Sequence, residues 1–128
     1  MVSAIWAGRR GAGKSVLRKI AADRLGQLPP GIEEFKQGIG RSIKAVPTVL
    51  RAMSAVLAAA GFEDAIRIAI RGGGDTDTIA AIAGSIAEAF FQIPEALWVR
   101  AREFLPEDIR AVAARAGSCV SGPGFQEL

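Results

Sequence analysis

The sequence predicts an all-α chain, a compact orthogonal helical bundle. Three observations carry that prediction. Half of the residues are hydrophobic, alanine and leucine supply much of that share, and β-branched residues seldom cluster, which favours helix on helix. Apolar residues recur at spacings of three and four in the longer segments. Glycine and proline punctuate the chain at positions that suit helix starts and stops.

The elements follow in order. A short first helix ends near Ala7. A second runs from about Ser15 to Leu25 and is closed by Gly26. Leu28-Pro29-Pro30-Gly31 is a loop, and a short helix follows around Ile32 to Lys36. Gly38-Ile39-Gly40 breaks the chain again. Pro47 suits the first turn of a helix that reaches Ala60, with Gly61 as its C-terminal cap. On it Val49, Met53, Val56 and Leu57 share one face. Phe62 to Ile70 forms the next helix, with Phe62, Ile66 and either Ala69 or Ile70 inward. A helix from Asp77 to Phe91 carries Ala80, Ala83, Gly84 and Ala87, small residues that admit a close neighbour. Pro94 begins a helix to Phe104, and Pro106 another to Ala116. Trp98, Phe104 and Ile109 are expected in the core. The expected domain is 1–116, with 117–128 as a flexible tail that holds Cys119.

Composition bounds the function. A chain of 128 residues supports one core. The net charge of +3 is a mild excess, and its densest patch is Arg9, Arg10, Lys14, Arg18 and Lys19. No aromatic residue interleaves there, so a solvated face is preferred over a nucleic-acid surface. Charges interrupt every apolar run before it reaches membrane-spanning length, and Val2 to Ala7 is too short for the core of a signal peptide. A lone cysteine makes no internal disulfide, which fits a cytoplasmic setting.

The richest chemistry lies in Arg71-Gly72-Gly73-Gly74-Asp75-Thr76-Asp77-Thr78, directly before an apolar helical stretch. With no histidine and one cysteine, a metal here would be held by oxygen, which points to Mg²⁺, Mn²⁺ or Ca²⁺. On a regular helix Asp75 and Asp77 would diverge by about 200°. They converge only if Asp75 sits at the cap or before it, with Asp77 and Thr78 in the first turn. The glycines permit that course. The plainer reading makes Asp75 an ordinary N-cap and Asp77 a first-turn acid favoured by the helix dipole.

Gly73-Gly74-Asp75-Thr76-Asp77-Thr78-Ile79-Ala80-Ala81-Ile82-Ala83-Gly84 resembles the C-terminal signature of the ADP-ribosylglycohydrolase family. The flanking segments Val46–Ala52, Gly61–Arg67, Ile86–Phe91 and Phe104–Asp108 are similar to that family's neighbouring helices. The resemblance implies an all-α enzyme that hydrolyses the glycosidic bond at C1″ of ADP-ribose on ADP-ribosylated protein, using two Mg²⁺ (or Mn²⁺) ions in a complete site. It implies Asp75, Asp77 and Thr78 as metal ligands. The family's remaining ligands come from a Thr-Asp-Asp cluster near its N-terminus, and this chain contains no Asp-Asp pair. The expectation is therefore the C-terminal part of such a domain, weak or inactive by itself, completed by an N-terminal half in trans or by self-association. No general acid or base is assigned. Glu88 lies too far along the signature helix and faces packing or solvent.

Two other readings stand beside this one. Gly8-Arg9-Arg10-Gly11-Ala12-Gly13-Lys14-Ser15 fits the phosphate-loop pattern G-x-x-x-x-G-K-S in full. The apolar Val2–Ala7 would be its strand, but the parallel sheet such a loop needs is missing. A turn with Ser15 as N-cap is preferred. The second is a non-catalytic helical module that binds a partner through an exposed apolar face.

Overall fold

The computed structural model describes residues 1–37 and 44–119, and among them every regular element is a helix. The helices are α1 (Val2–Arg9), α2 (Val16–Leu25), α3 (Ile32–Lys36), α4 (Ala45–Ala58), α5 (Phe62–Arg71), α6 (Thr76–Ala87), α7 (Glu95–Glu103) and α8 (Glu107–Cys119). The expected all-α class holds. The expected break at Gly38-Ile39-Gly40 lies outside the described residues, as does 120–128 of the expected tail. Among the described residues no helix is long and apolar enough to cross a membrane.

The chain divides after Ile93 into two units. In the first, α4 is central. It packs on α2, α3, α5 and α6, while α1 packs on α2 and α6. Leu50, Ala52, Met53, Ala55 and Val56 of α4 are all buried, so the helix is enclosed on more than the single expected face. Val49 and Leu57, placed by periodicity on that face, are only half-buried. Ala65 and Ala69 of α5 and Ile79, Ala83, Ile86 and Ala87 of α6 complete this core. The small residues of α6 do bring a neighbour close: a Cβ at Gly84 would stand 3.1 Å from Cδ1 of Ile66. Between the alternatives at the end of α5, Ala69 is buried and Ile70 is 51% exposed.

Several helix ends differ from expectation: α1 reaches Arg9, and α8 continues to Cys119, three residues into the expected tail. α4 stops at Ala58, where Ala59 turns extended, and Gly61 caps the start of α5 instead of the end of α4. Side chains hold this sharper corner: Lys14 takes the Ala59 carbonyl, and the Asp64 carboxylate accepts from the Ala60 amide at 2.9 Å. α6 ends at Ala87, four residues early. Tight turns follow, with the amides of Ala89 and Phe90 donating to Ile86 and Ala87.

The second unit begins at Pro94 and contains α7 and α8. Here the core expectation is overturned. Trp98 is half-buried, Phe104 is 74% exposed and Ile109 is 48% exposed. From Pro94 to Arg115 no side chain is buried. Two helices alone lack the further layer needed to enclose a core. The apolar surfaces carry cations instead, with Arg102 at 5.8 Å from the Trp98 ring and Arg100 at 5.3 Å from that of Phe104.

Candidate metal centre

The acidic signature sits at the link between α5 and α6. Gly72 caps the C-terminus of α5. Gly73 and Gly74 follow with φ of 67° and 89°, in the left-handed region where only glycine is comfortable. This turns the chain so that Asp75 occupies the N-cap of α6 and Asp77 and Thr78 lie in its first turn. It is the one course by which the two aspartates can converge.

They do converge. The Asp75 side chain is in hydrogen-bonding reach of Asp77, and that contact is the main reason the Asp77 carboxyl lies below the ordinary carboxylate range. The amide of Thr78 also donates to Asp77 Oδ1 at 2.9 Å and acts in the same direction. Asp75 stands at the N-cap and Asp77 in the first turn, as the plainer reading has them. The Asp75 main-chain oxygen accepts from Ile79 at 2.9 Å, as at any N-cap. Its carboxylate makes no capping bond, so its oxygens are not used up on the helix amides. Asp75 is half-buried, and Asp77 and Thr78 are exposed.

Two carboxylates and a threonine hydroxyl thus stand at the positive end of the α6 dipole. Adjacent like charges are favourable only with a shared proton or a cation between them. The set fits a hard divalent ion such as Mg²⁺ or Mn²⁺. Among the described residues no group of three or more Asp, Glu, His or Cys side chains is placed to hold a metal.

Two residues that place the glycine loop escape the sequence reading. Arg51 is 1% exposed, and its Nη2 donates to the carbonyls of Gly72 at 2.7 Å and Gly73 at 3.3 Å. Its guanidinium lies 4.3 Å from the ring centroid of Phe35, which is also buried. The available signal was a lone arginine flanked by Leu50, Ala52 and Met53, and on sequence it reads only as an interruption of an apolar run.

The phosphate-loop reading is corrected. Val2–Ala7 is helical, not a strand. Gly8 lies in the last turn of α1, where a Cβ would stand 2.7 Å from the Ala89 oxygen and 2.9 Å from Phe90 Cε2. Lys14 is committed to the Ala59 carbonyl. Ser15 stands at the N-cap of α2 as expected, but it makes no side-chain capping bond. The pattern is thus a helix–turn–helix corner, with Gly8 there for close packing. Arg9 of the basic patch pairs with Glu88 at 3.0 Å and Arg10 lies 4.2 Å from the Trp6 ring.

Comparison with known families agrees with the signature. The family model for ADP-ribosylglycohydrolase matches residues 3–123. The chain belongs to the ADP-ribosylglycohydrolase family. ADP-ribosylglycohydrolases act on ADP-ribosylated substrates and are in general metal-dependent, and the all-helical architecture here is consistent with their fold. Neither the curated proteins nor the solved structures yield a match.

Proposed function

We propose that this chain carries one side of a magnesium centre that serves hydrolysis of the glycosidic bond at C1″ of ADP-ribose. Asp75, Asp77 and Thr78 are its ligands. The observation that carries the reading is the placement of Asp75 at the N-cap of α6 with Asp77 and Thr78 in its first turn, within the family's signature. When bound, the ion supplies Lewis acidity and a template for the ribose hydroxyls and a water. The chain's own part is to supply two negative charges and one neutral oxygen, held on a helix start whose dipole already favours anionic groups.

Three donors on one side leave Mg²⁺ short of its six near-octahedral oxygens, and water supplies only some of the rest. The reading therefore includes a second segment that brings the other ligands, on another chain or elsewhere in the polypeptide. The ADP-ribosylated side chain and its linkage are set by that complete site.

Thermal unfolding with Mn²⁺ and ADP-ribose tests the ligand assignment. A ligand that binds only the folded state stabilises it by about 2.7 kcal/mol at a hundred times its Kd. We expect the wild-type melting temperature to rise and the Asp75→Ala/Asp77→Ala chain to show no shift. Equal shifts in both, or none in either, remove the metal assignment. Efficient turnover of ADP-ribosylated arginine or serine by the purified chain would overturn the divided site while leaving the ligands in place.

A further inference from the structure

The stretch Gly72-Gly73-Gly74 is the least constrained backbone a chain can have, yet it must deliver Asp75 and Asp77 to one place. Three consecutive glycines lose more conformational entropy on ordering than any other tripeptide, so something outside the loop has to hold it. The side chain that does so comes from α4, more than twenty residues earlier.

Arg51 bonds two successive loop carbonyls with one nitrogen, as given above. The first belongs to Gly72, the C-cap of α5, so the guanidinium also lies at the negative end of that helix. The second belongs to Gly73, the first of the two left-handed residues. The Phe35 ring, carried by α3, lies 4.3 Å from the guanidinium carbon and packs against Gly72 as well. Gly72 itself is buried, and its missing Cβ is the space the Phe35 ring occupies, with Arg51 Nη2 2.9 Å from the same point. Arginine, loop and ring thus form one packed unit, and the first carboxylate lies two residues past its last bond.

We propose that Arg51 is a positioning residue for the metal ligands: by pinning Gly72 and Gly73 it sets the turn that places Asp75 at the N-cap of α6 and Asp77 in its first turn. This rests on the metal assignment made above. Lysine cannot replace it, because a single ammonium on a flexible stem neither stacks on Phe35 nor holds the same planar geometry. The role is distinct from general stability, since it concerns the path of four residues.

The experiment is a Mn²⁺ titration followed by electron paramagnetic resonance, on wild type, Arg51→Lys, Arg51→Met and Asp75→Asn/Asp77→Asn. Hydrogen exchange of the 72–76 amides is measured on the same full-length chains. Loss of groups that orient metal ligands typically weakens binding about 10–100-fold. We expect Arg51→Met to weaken Mn²⁺ by roughly tenfold or more, Arg51→Lys to recover little of it, and both to exchange faster at 72–76 than in α6. The aspartate pair variant should abolish binding and keep the loop protected. If the aspartate variant abolishes binding while both Arg51 variants bind Mn²⁺ as wild type does, the positioning role is overturned. If wild type binds no Mn²⁺, or the aspartate variant binds it equally, the metal assignment fails instead. Exchange then decides the role of Arg51: faster loop exchange supports it and unchanged exchange overturns it. Should Arg51→Met fail to fold, Arg51→Lys and Phe35→Leu give the same readings.

Discussion

Lys14 donates from Nζ to the carbonyl oxygen of Ala59, forty-five residues along the chain. The bond ties the start of α2 to the corner that ends α4, and the Phe91 ring lies 5.6 Å from the same ammonium. This is the residue that a phosphate loop would extend towards a nucleotide, and here it closes a helix corner. Lys14→Met should therefore cost stability, by about 1–2 kcal/mol for a charged bond in a half-buried setting. Urea unfolding measures it. Millimolar Mg-ATP should leave the unfolding midpoint of both chains unchanged, and an ATP-dependent rise abolished by the substitution would restore the nucleotide reading.

The Phe35 ring and Gly72 share one small space. A methyl group at position 72 would overlap Phe35 Cε1 and Cζ, and Arg51 Nη2 is 2.9 Å away. Overpacking of a closed site costs about 1–3 kcal/mol, so Gly72→Ala should lower the melting temperature by several degrees. Phe35→Leu opens room for the methyl. The double variant should be less destabilised than the sum of the two single ones, which a double-mutant cycle by calorimetry reads directly. Strict additivity would mean that the ring is not what forbids a side chain at 72.

Arg9 and Glu88 join α1 to the turn after α6 through Nη2 to Oε2 at 3.0 Å. Both side chains remain substantially exposed, at 42% and 34%, so solvent screens the pair. A double-mutant cycle with Arg9→Ala and Glu88→Ala should give a coupling of about 0.2–1 kcal/mol. The coupling should shrink between 0.05 and 0.5 M salt, an arbitrary test range that shortens the screening length. A coupling well above 1 kcal/mol would mean that the pair organises α1 on α6 rather than decorating it.

Much of the helix pattern is legible in the sequence because its signals are local. Gly26 closes α2 in the left-handed conformation, with φ of 66°. Pro47 falls in the first turn of α4, and Gly73-Gly74 adopts the positive φ angles that only a glycine run makes cheap. The acidic signature could be placed at a helix start for the same reason: cap position and dipole are properties of adjacent residues.

What the sequence could not reveal depends on residues far apart in the chain. Whether Gly8 lines a phosphate or a neighbouring helix was decided by Ala89 and Phe90. Whether α4 ends at Ala60 or at Ala58 was decided with Lys14 and Asp64. The apolar residues of α7 and α8 have helical spacing whether or not anything covers them, so Phe104 and Ile109 look like core in the sequence and are exposed in the fold. The sequence by itself determined the all-α class, which follows from residue type and near-neighbour spacing, and the family, which the segment Gly73–Gly84 resembles. Only the tertiary structure decided that Arg51 and Phe35 hold the loop before Asp75. A contact between α3, α4 and the α5–α6 link exists only once the helices have packed.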